Sequence, residues 1–155
     1  MEKILQFLRF SIDSFQFGIE LCDVEKIIPA RPLISSSAKP DFVMGLLHYN
    51  NELIAVVDIR GRLGIPIRDL DLKDQFIIFR TKNYTMALYA ELVVDNFEAK
   101  EADIIESKQL LPGIQIMKFP RQNIIHIYNT EELFDQSDIF GIVRMLKSFD
   151  HNVAV

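Results

Sequence analysis

Tryptophan is absent from this 155-residue chain, and cysteine occurs once. The single Cys22 excludes an internal disulfide, and one free thiol suits a reducing compartment. It lies in the apolar run Ile19-Glu20-Leu21-Cys22, where it reads as a small buried hydrophobe. No uninterrupted apolar stretch reaches the roughly 18 residues of a membrane span, so direct membrane insertion is not expected. Met1-Glu2-Lys3-Ile4 shows no basic region followed by a long apolar run, so no signal peptide is read and a cytoplasmic location is expected. Positive charge is also short: Lys+Arg number 17 against 22 Asp+Glu, a net charge of -5. A mildly acidic chain has no field to gather phosphate backbones, so nucleic acid is not an expected partner.

Catalytic patterning is equally thin. His48, His126 and His151 form no HxH or HExxH pattern and have no second ligand at metal spacing. His48 and His126 fall at strand positions, as ordinary exposed or hydrogen-bonded histidines do. Gly61 and Gly64 flank Arg62-Leu63 without the lysine and spacing of a phosphate loop. Asp69 and Asp71 sit in a polar stretch and read as solvated charge. Ser35-Ser36-Ser37 lacks the glycines of a nucleophile elbow. Glu131-Glu132 follows Thr130 as helix-start chemistry. With no acid, base, nucleophile or metal set, an enzyme is not expected, and no cofactor or metal is called for.

What is present is phenylalanine and a repeat. Phe occurs 12 times, and hydrophobic residues make up 49% of the chain. Phe fills a core without needing a buried hydrogen-bond partner. Gln6-Phe7 followed by Phe10 opens one alternating segment, and Gln75-Phe76 followed by Phe79 opens another. At the same offset Phe15 aligns with Tyr84, Gly18 with Ala87, Ile19 with Leu88 and Val24 with Val93. Gly45 and Gly113 each open a hairpin-like stretch. A period of this length is too long for a solenoid unit and suits two tandem lobes of similar fold.

Residues 5–12 read as a strand, with Leu5, Phe7 and Ile12 assigned to one face and Leu8 and Phe10 to the other. Asp13-Ser14 turns the chain, and Phe15, Phe17, Ile19 and Leu21 alternate as a second strand. Residues 22–28 read as a helical turn ended by Pro29, and 31–40 as an exposed loop. Strands follow over 44–49 and 53–59, joined at Asn50-Asn51, which tolerate positive φ. Residues 60–64 leave the sheet through a short helical turn or loop that Pro66 closes, and 68–73 is a polar linker. Strands 76–80 and 85–94 pair around Lys82-Asn83. Residues 98–108 read as an exposed loop with some helix, and 114–117 pairs with 124–128. Ile139, Phe140, Val143 and Leu146 have helical spacing, giving a docking helix over 138–149 and a frayed end over 151–155. The expected fold is mainly β. It has two small five-stranded SH3-like barrels side by side, approximately 1–68 and 69–137, and a C-terminal helix with its tail over 138–155. A crossing of the chain between lobes is left open.

The stretch Phe42 to Pro66 resembles the CheW-like family, the coupling domains of bacterial chemotaxis. Phe42, Val43, Gly45, Val57, Asp58, Arg60, Gly64 and Pro66 stand in the places that match that family's pattern. Phe17-Gly18-Ile19, the segment from Asp23 to Ile27 and Leu92-Val93-Val94-Asp95 resemble further family motifs in the same order. The resemblance covers about residues 4 to 135. It implies one domain over 1–155, two β-barrel lobes with an apolar groove between them, and a non-enzymatic adaptor. That adaptor would couple the cytoplasmic tip of chemoreceptors to the regulatory domain of a CheA-type histidine kinase, with weak self-association or ring assembly open to it. The implied partner-binding residues are Val24, Glu25, Ile27, Ile28, Gly45, His48, Asn50, Asn51, Arg60 and Arg62. Val24, Ile27 and Ile28 serve equally well as groove walls or as ordinary core. One departure stands out: the turn that carries Asn-Leu-Arg-Gly in the family is His48-Tyr49-Asn50-Asn51 here. The arginine position falls at Asn50, and asparagine cannot make a guanidinium's forked bonds. Two alternatives remain: a scaffold of a related chemosensory or surface-motility pathway, and a β-barrel that binds a small apolar ligand in the groove.

Overall fold

The structure, a computed structural model, describes residues 3–106, 114–118, 124–130 and 133–153. Gly113, the turn at 119–123 and Glu131-Glu132 lie outside the described residues. In chain order the elements are β1 (Ile4–Ile12), β2 (Phe15–Glu20), a 3-10 turn (Leu21–Asp23), β3 (Val24–Pro29), β4 (Val43–Tyr49), β5 (Glu52–Val57) and α1 (Arg60–Leu63). There follow β6 (Gln75–Arg80), β7 (Thr85–Ala90), β8 (Leu92–Lys100), a 3-10 turn (Glu101–Asp103), β9 (Ile104–Glu106), β10 (Ile114–Lys118), β11 (Ile124–Tyr128) and α2 (Gln136–Val153).

The strands form two sheets, one of order β8-β1-β2-β11-β10-β9 and one of order β3-β6-β7-β5-β4. The fold is mainly β, in two lobes with one long helix at the C-terminal end. The repeat is real, and it is exchanged between the lobes. Hairpins β1–β2 and β6–β7 are equivalent, as are hairpins β4–β5 and β10–β11. Each first hairpin joins the second hairpin of the other repeat through a parallel pair, β2 with β11 and β7 with β5. The third strands exchange too: β3 pairs with β6, and β8 with β1. The sheets therefore do not divide near residue 68, because each draws on both halves of the chain. Neither sheet closes by pairing its end strands among the described residues, and one has six strands where five-stranded barrels are expected.

Local patterns explain most elements. Asn50 (φ 49) and Asn51 (φ 64) both take the left-handed conformation that a tight hairpin between β4 and β5 requires. Gly64 (φ 71) ends α1 in the same conformation, and the Ile65 N–H donates back to the Arg60 carbonyl at 2.9 Å. Residues 22–28 depart from expectation. Only Leu21–Asp23 turns, and Val24–Pro29 is a strand paired with β6. Val24, Ile27 and Ile28 are β-branched and lose rotamer freedom in a helix. Residues 85–94 also break at Glu91, where the chain passes from one sheet to the other. The charged stretch from Glu98 carries the end of β8, a 3-10 turn and β9 rather than a loop. The helix runs past the expected end, through residues 151–153.

One continuous core joins the two sheets. Leu8, Phe10, Ile12, Phe17 and Ile19 of the first sheet pack with Leu46, Val56, Phe76, Phe79 and Leu88 of the second. Ile12 lies on the Leu8 and Phe10 side, not with Phe7. Phe7 faces a smaller cluster with Ala99, Ile125 and Ile127. Gly18 keeps that cluster tight, since a Cβ there would meet the Ile127 Cδ1 at 2.8 Å. From α2, Ile142 and Met145 seal the main core, and Phe134 stacks on Phe42 at 5.4 Å.

Candidate functional site

The candidate residues separate into a surface group and a buried group. β3 is an end strand of its sheet and β4 is the opposite end strand. The sheet curls so that the two ends meet through side chains. Tyr49, the last residue of β4, places its phenol beside the Glu25 carboxylate of β3 and the side chain of Asn50. Burial pushes the Tyr49 phenol above its ordinary range, and the hydrogen bond to Glu25 adds to this. Glu25 also accepts from the Arg80 Nη2 at 2.8 Å, across from the end of β6. On the other side of the turn, the Arg31 Nη2 donates to the His48 carbonyl at 3.2 Å.

These contacts gather Glu25, His48, Asn50 and Asn51 into one exposed patch with the edge of β3. Ile27 adds an exposed apolar side chain, while Val24 and Ile28 are half-buried against the main core. Ile27 is therefore on the surface, and Val24 and Ile28 serve both surface and core. Tyr49, Arg80 and Arg31 are the residues that sequence reasoning missed. Their positions depend on pairing between β3 and β6, which no local pattern announces.

Three candidates are placed elsewhere. Arg60 is fully buried: its guanidinium bonds both Asp58 carboxylate oxygens and stacks on Tyr89, with Cζ 4.2 Å from the ring centre. Its desolvation is offset by the Asp58 carboxylate, so it holds the turn after β5 rather than a partner. Gly45 is buried under the loop that follows β3, where a Cβ would meet the Ile34 carbonyl oxygen at 2.9 Å. Its role is to let that loop close on β4. Arg62 is partly exposed, paired with Asp138 of α2 at 2.6 Å and lying 4.4 Å over the Phe42 ring.

Cys22 is exposed, not buried. Partial burial of its sulfur and then the Asp23 and Glu20 carboxylates raise the thiol pKa, which disfavours a reactive thiolate. The three side chains lie within 4.8 Å of one another on an open surface, and Asp23 is also held by the Thr130 hydroxyl at 3.0 Å. His126 lies between Phe15 and Phe17 with its Nδ1 3.3 Å from the Gln16 carbonyl, as a strand histidine does. A pocket of about 380 Å³, mostly apolar, opens between Arg31, Leu33, Met44, Leu70 and Leu72. No helix among the described residues is long and apolar enough to cross a membrane.

The fold is thus a two-lobed β scaffold whose hairpins are exchanged between sheets, with a polar turn and an end strand on one surface. A family model of the CheW-like domain matches residues 6–138, and the chain belongs to the CheW-like family. The chemotaxis protein CheW of Helicobacter pylori (strain ATCC 700392 / 26695) is 16% identical over 103 residues, 66% of this chain and 62% of that relative. The match thus spans under two thirds of the relative's length. The crystal structure of the scaffolding protein TtCheW from Thermoanaerobacter tengcongensis is similar in fold, with a TM-score of 0.76 at 19% identity. That match covers 88% of this chain and 96% of the other.

Proposed function

We propose that this protein is a non-enzymatic coupling protein of a chemosensory array, one that holds the regulatory domain of a CheA-type histidine kinase against the cytoplasmic tip of chemoreceptors. It works in the cytoplasm, recruited to membrane-anchored receptors, and needs no cofactor. The observation that carries this reading is the meeting of the β3 edge with the His48–Asn51 turn. It presents an end strand with one side unpaired among the described residues, an exposed apolar side chain and polar turn groups together. An edge strand offers backbone hydrogen bonds to a partner, and flanking side chains give selectivity. The partner-binding residues are Val24, Glu25, Ile27, Ile28, His48, Asn50 and Asn51, with Arg62 at a second, more distant position. Weak self-association through the two related lobes fits the same reading.

The test is calorimetric titration of the purified protein with the regulatory domain of each CheA-type kinase encoded in its own genome. Binding at micromolar affinity or tighter to one of them is expected. Asn50→Arg is expected to shift that affinity by about tenfold. The left-handed turn costs an arginine about 1–2 kcal/mol, which leaves the protein folded. An unchanged affinity for every partner that binds would remove the turn from the interface. No binding by the folded wild-type protein would overturn the adaptor reading.

A further inference from the structure

We propose that Arg80 supplies the partner-recognising cation of this docking surface, and that its ligand is a carboxylate on the partner. The inference rests on the adaptor reading and names the chemistry of that interface. Arg80 ends β6, and its side chain is 63% exposed. One guanidinium nitrogen is committed to Glu25 at 2.8 Å. Among the described residues, the rest of its donors have no protein partner. A guanidinium tethered on one side and open on the other is pre-oriented, so less side-chain entropy is lost when a second carboxylate arrives.

Its position matters as much as its charge. Glu25 is the hinge of the arrangement, since the carboxylate that orients Arg80 also lies beside the Tyr49 phenol, next to Asn50. The cation therefore stands at a turn whose own residues, His48 to Asn51, include no lysine or arginine. Arg31, exposed on the far side, bonds only the His48 carbonyl among the described residues, and Lys26 is exposed on β3 next to Glu25. Exposed Glu52 follows the turn and Glu25 already holds one Arg80 nitrogen, so the surface is of mixed sign and what it offers a partner is the open side of the Arg80 fork, with Arg31 nearby. An open guanidinium fork pairs with a carboxylate and is repelled by a cation. Glu25 is a positioning residue: it aims Arg80 and does not itself meet the partner's carboxylate.

The experiment measures binding of the full chain to the kinase regulatory domain that the wild-type protein binds, over a range of salt concentrations, with melting temperature as the control. Arg80→Ala is expected to weaken binding at least tenfold and to flatten the salt dependence, with melting unchanged. Arg80→Lys keeps the charge without the fork and is expected to fall between. Glu25→Gln is expected to weaken binding several-fold through lost orientation of Arg80, although it makes the patch more positive; a purely electrostatic role would strengthen binding and steepen its salt dependence. Adding Asn50→Arg to Arg80→Ala is expected to recover part of the lost affinity, because it returns a cation to the same place. Wild-type affinity and salt dependence in Arg80→Ala, with the wild-type protein binding normally, overturns the inference and leaves the adaptor reading standing. Failure of the wild-type protein itself to bind overturns both.

Discussion

Arg60 and Tyr128 bury polar atoms under opposite conditions. Arg60 is matched, with Asp58 taking its fork and Tyr89 covering its face. Breaking such a pair leaves a buried charge uncompensated, which typically costs about 3–5 kcal/mol. Tyr128 is unmatched among the described residues, where its buried hydroxyl has no hydrogen-bond partner while its ring packs against Phe10 and Phe17. The ring therefore supplies the stability and the oxygen detracts from it. Tyr128→Phe is expected to leave stability unchanged or raise it by up to about 1 kcal/mol, read by denaturant unfolding at neutral pH. A clear loss would show that the hydroxyl has a partner. Burial, then the Asp58 carboxylate, push this phenol well above the ordinary tyrosine range. The unfolded chain then releases the proton first, so native stability falls as pH rises past about 10. Tyr128→Phe is expected to make that fall shallower. Neither the match at Arg60 nor the orphan at Tyr128 is visible in sequence. A lone arginine after a strand reads as surface until Tyr89, far along the chain, is seen to cover it.

At the scale of elements, the C-terminal helix shows a local signal whose helix is read correctly and whose buried face is read only in part. Its helical spacing is plain in the sequence, but Ile142 and Met145 are the residues that reach the core; Ile139 and Leu146 are only partly buried against it, and Phe140, assigned to the docking face, is exposed. Its start is set by a reciprocal cap: the Asp138 N–H donates to the Asp135 carboxylate at 2.7 Å, and the Asp135 N–H donates to the Asp138 carboxylate at 3.2 Å. The same Asp138 holds Arg62, so the cap ties α2 to α1. Asp135→Ala is expected to cost about 1 kcal/mol in thermal or denaturant unfolding, and no measurable change would mean the cap is idle. β3 teaches the reverse lesson. The spacing of Val24, Ile27 and Ile28 fits a helical turn as well as a strand. The free edge of β6 decided between them by offering backbone partners. Where a short segment is ambiguous, the neighbour that satisfies its hydrogen bonds chooses its form.

For the molecule as a whole, the exchange of strands between repeats has a thermodynamic consequence. Each sheet needs hairpins and edge strands from both halves of the chain, and a single core runs through both. Separate fragments of residues 1–68 and 69–155 are expected to be unfolded alone, and the intact chain to melt in one transition by circular dichroism and calorimetry. Two separable transitions, or a folded fragment, would mean that the lobes are independent. The sequence by itself determined the strand hairpins, the Asn50-Asn51 turn, the amphipathic helix and the repeat, because these rest on side-chain period and turn chemistry within a few residues. The CheW-like resemblance was legible for the same reason, since its motifs are local. Only the tertiary structure decided which hairpin joins which sheet, that Arg60 and Gly45 are buried, and that Arg80 stands beside the turn. Those outcomes depend on backbone pairing and desolvation between residues far apart in the chain, and no local pattern carries that information.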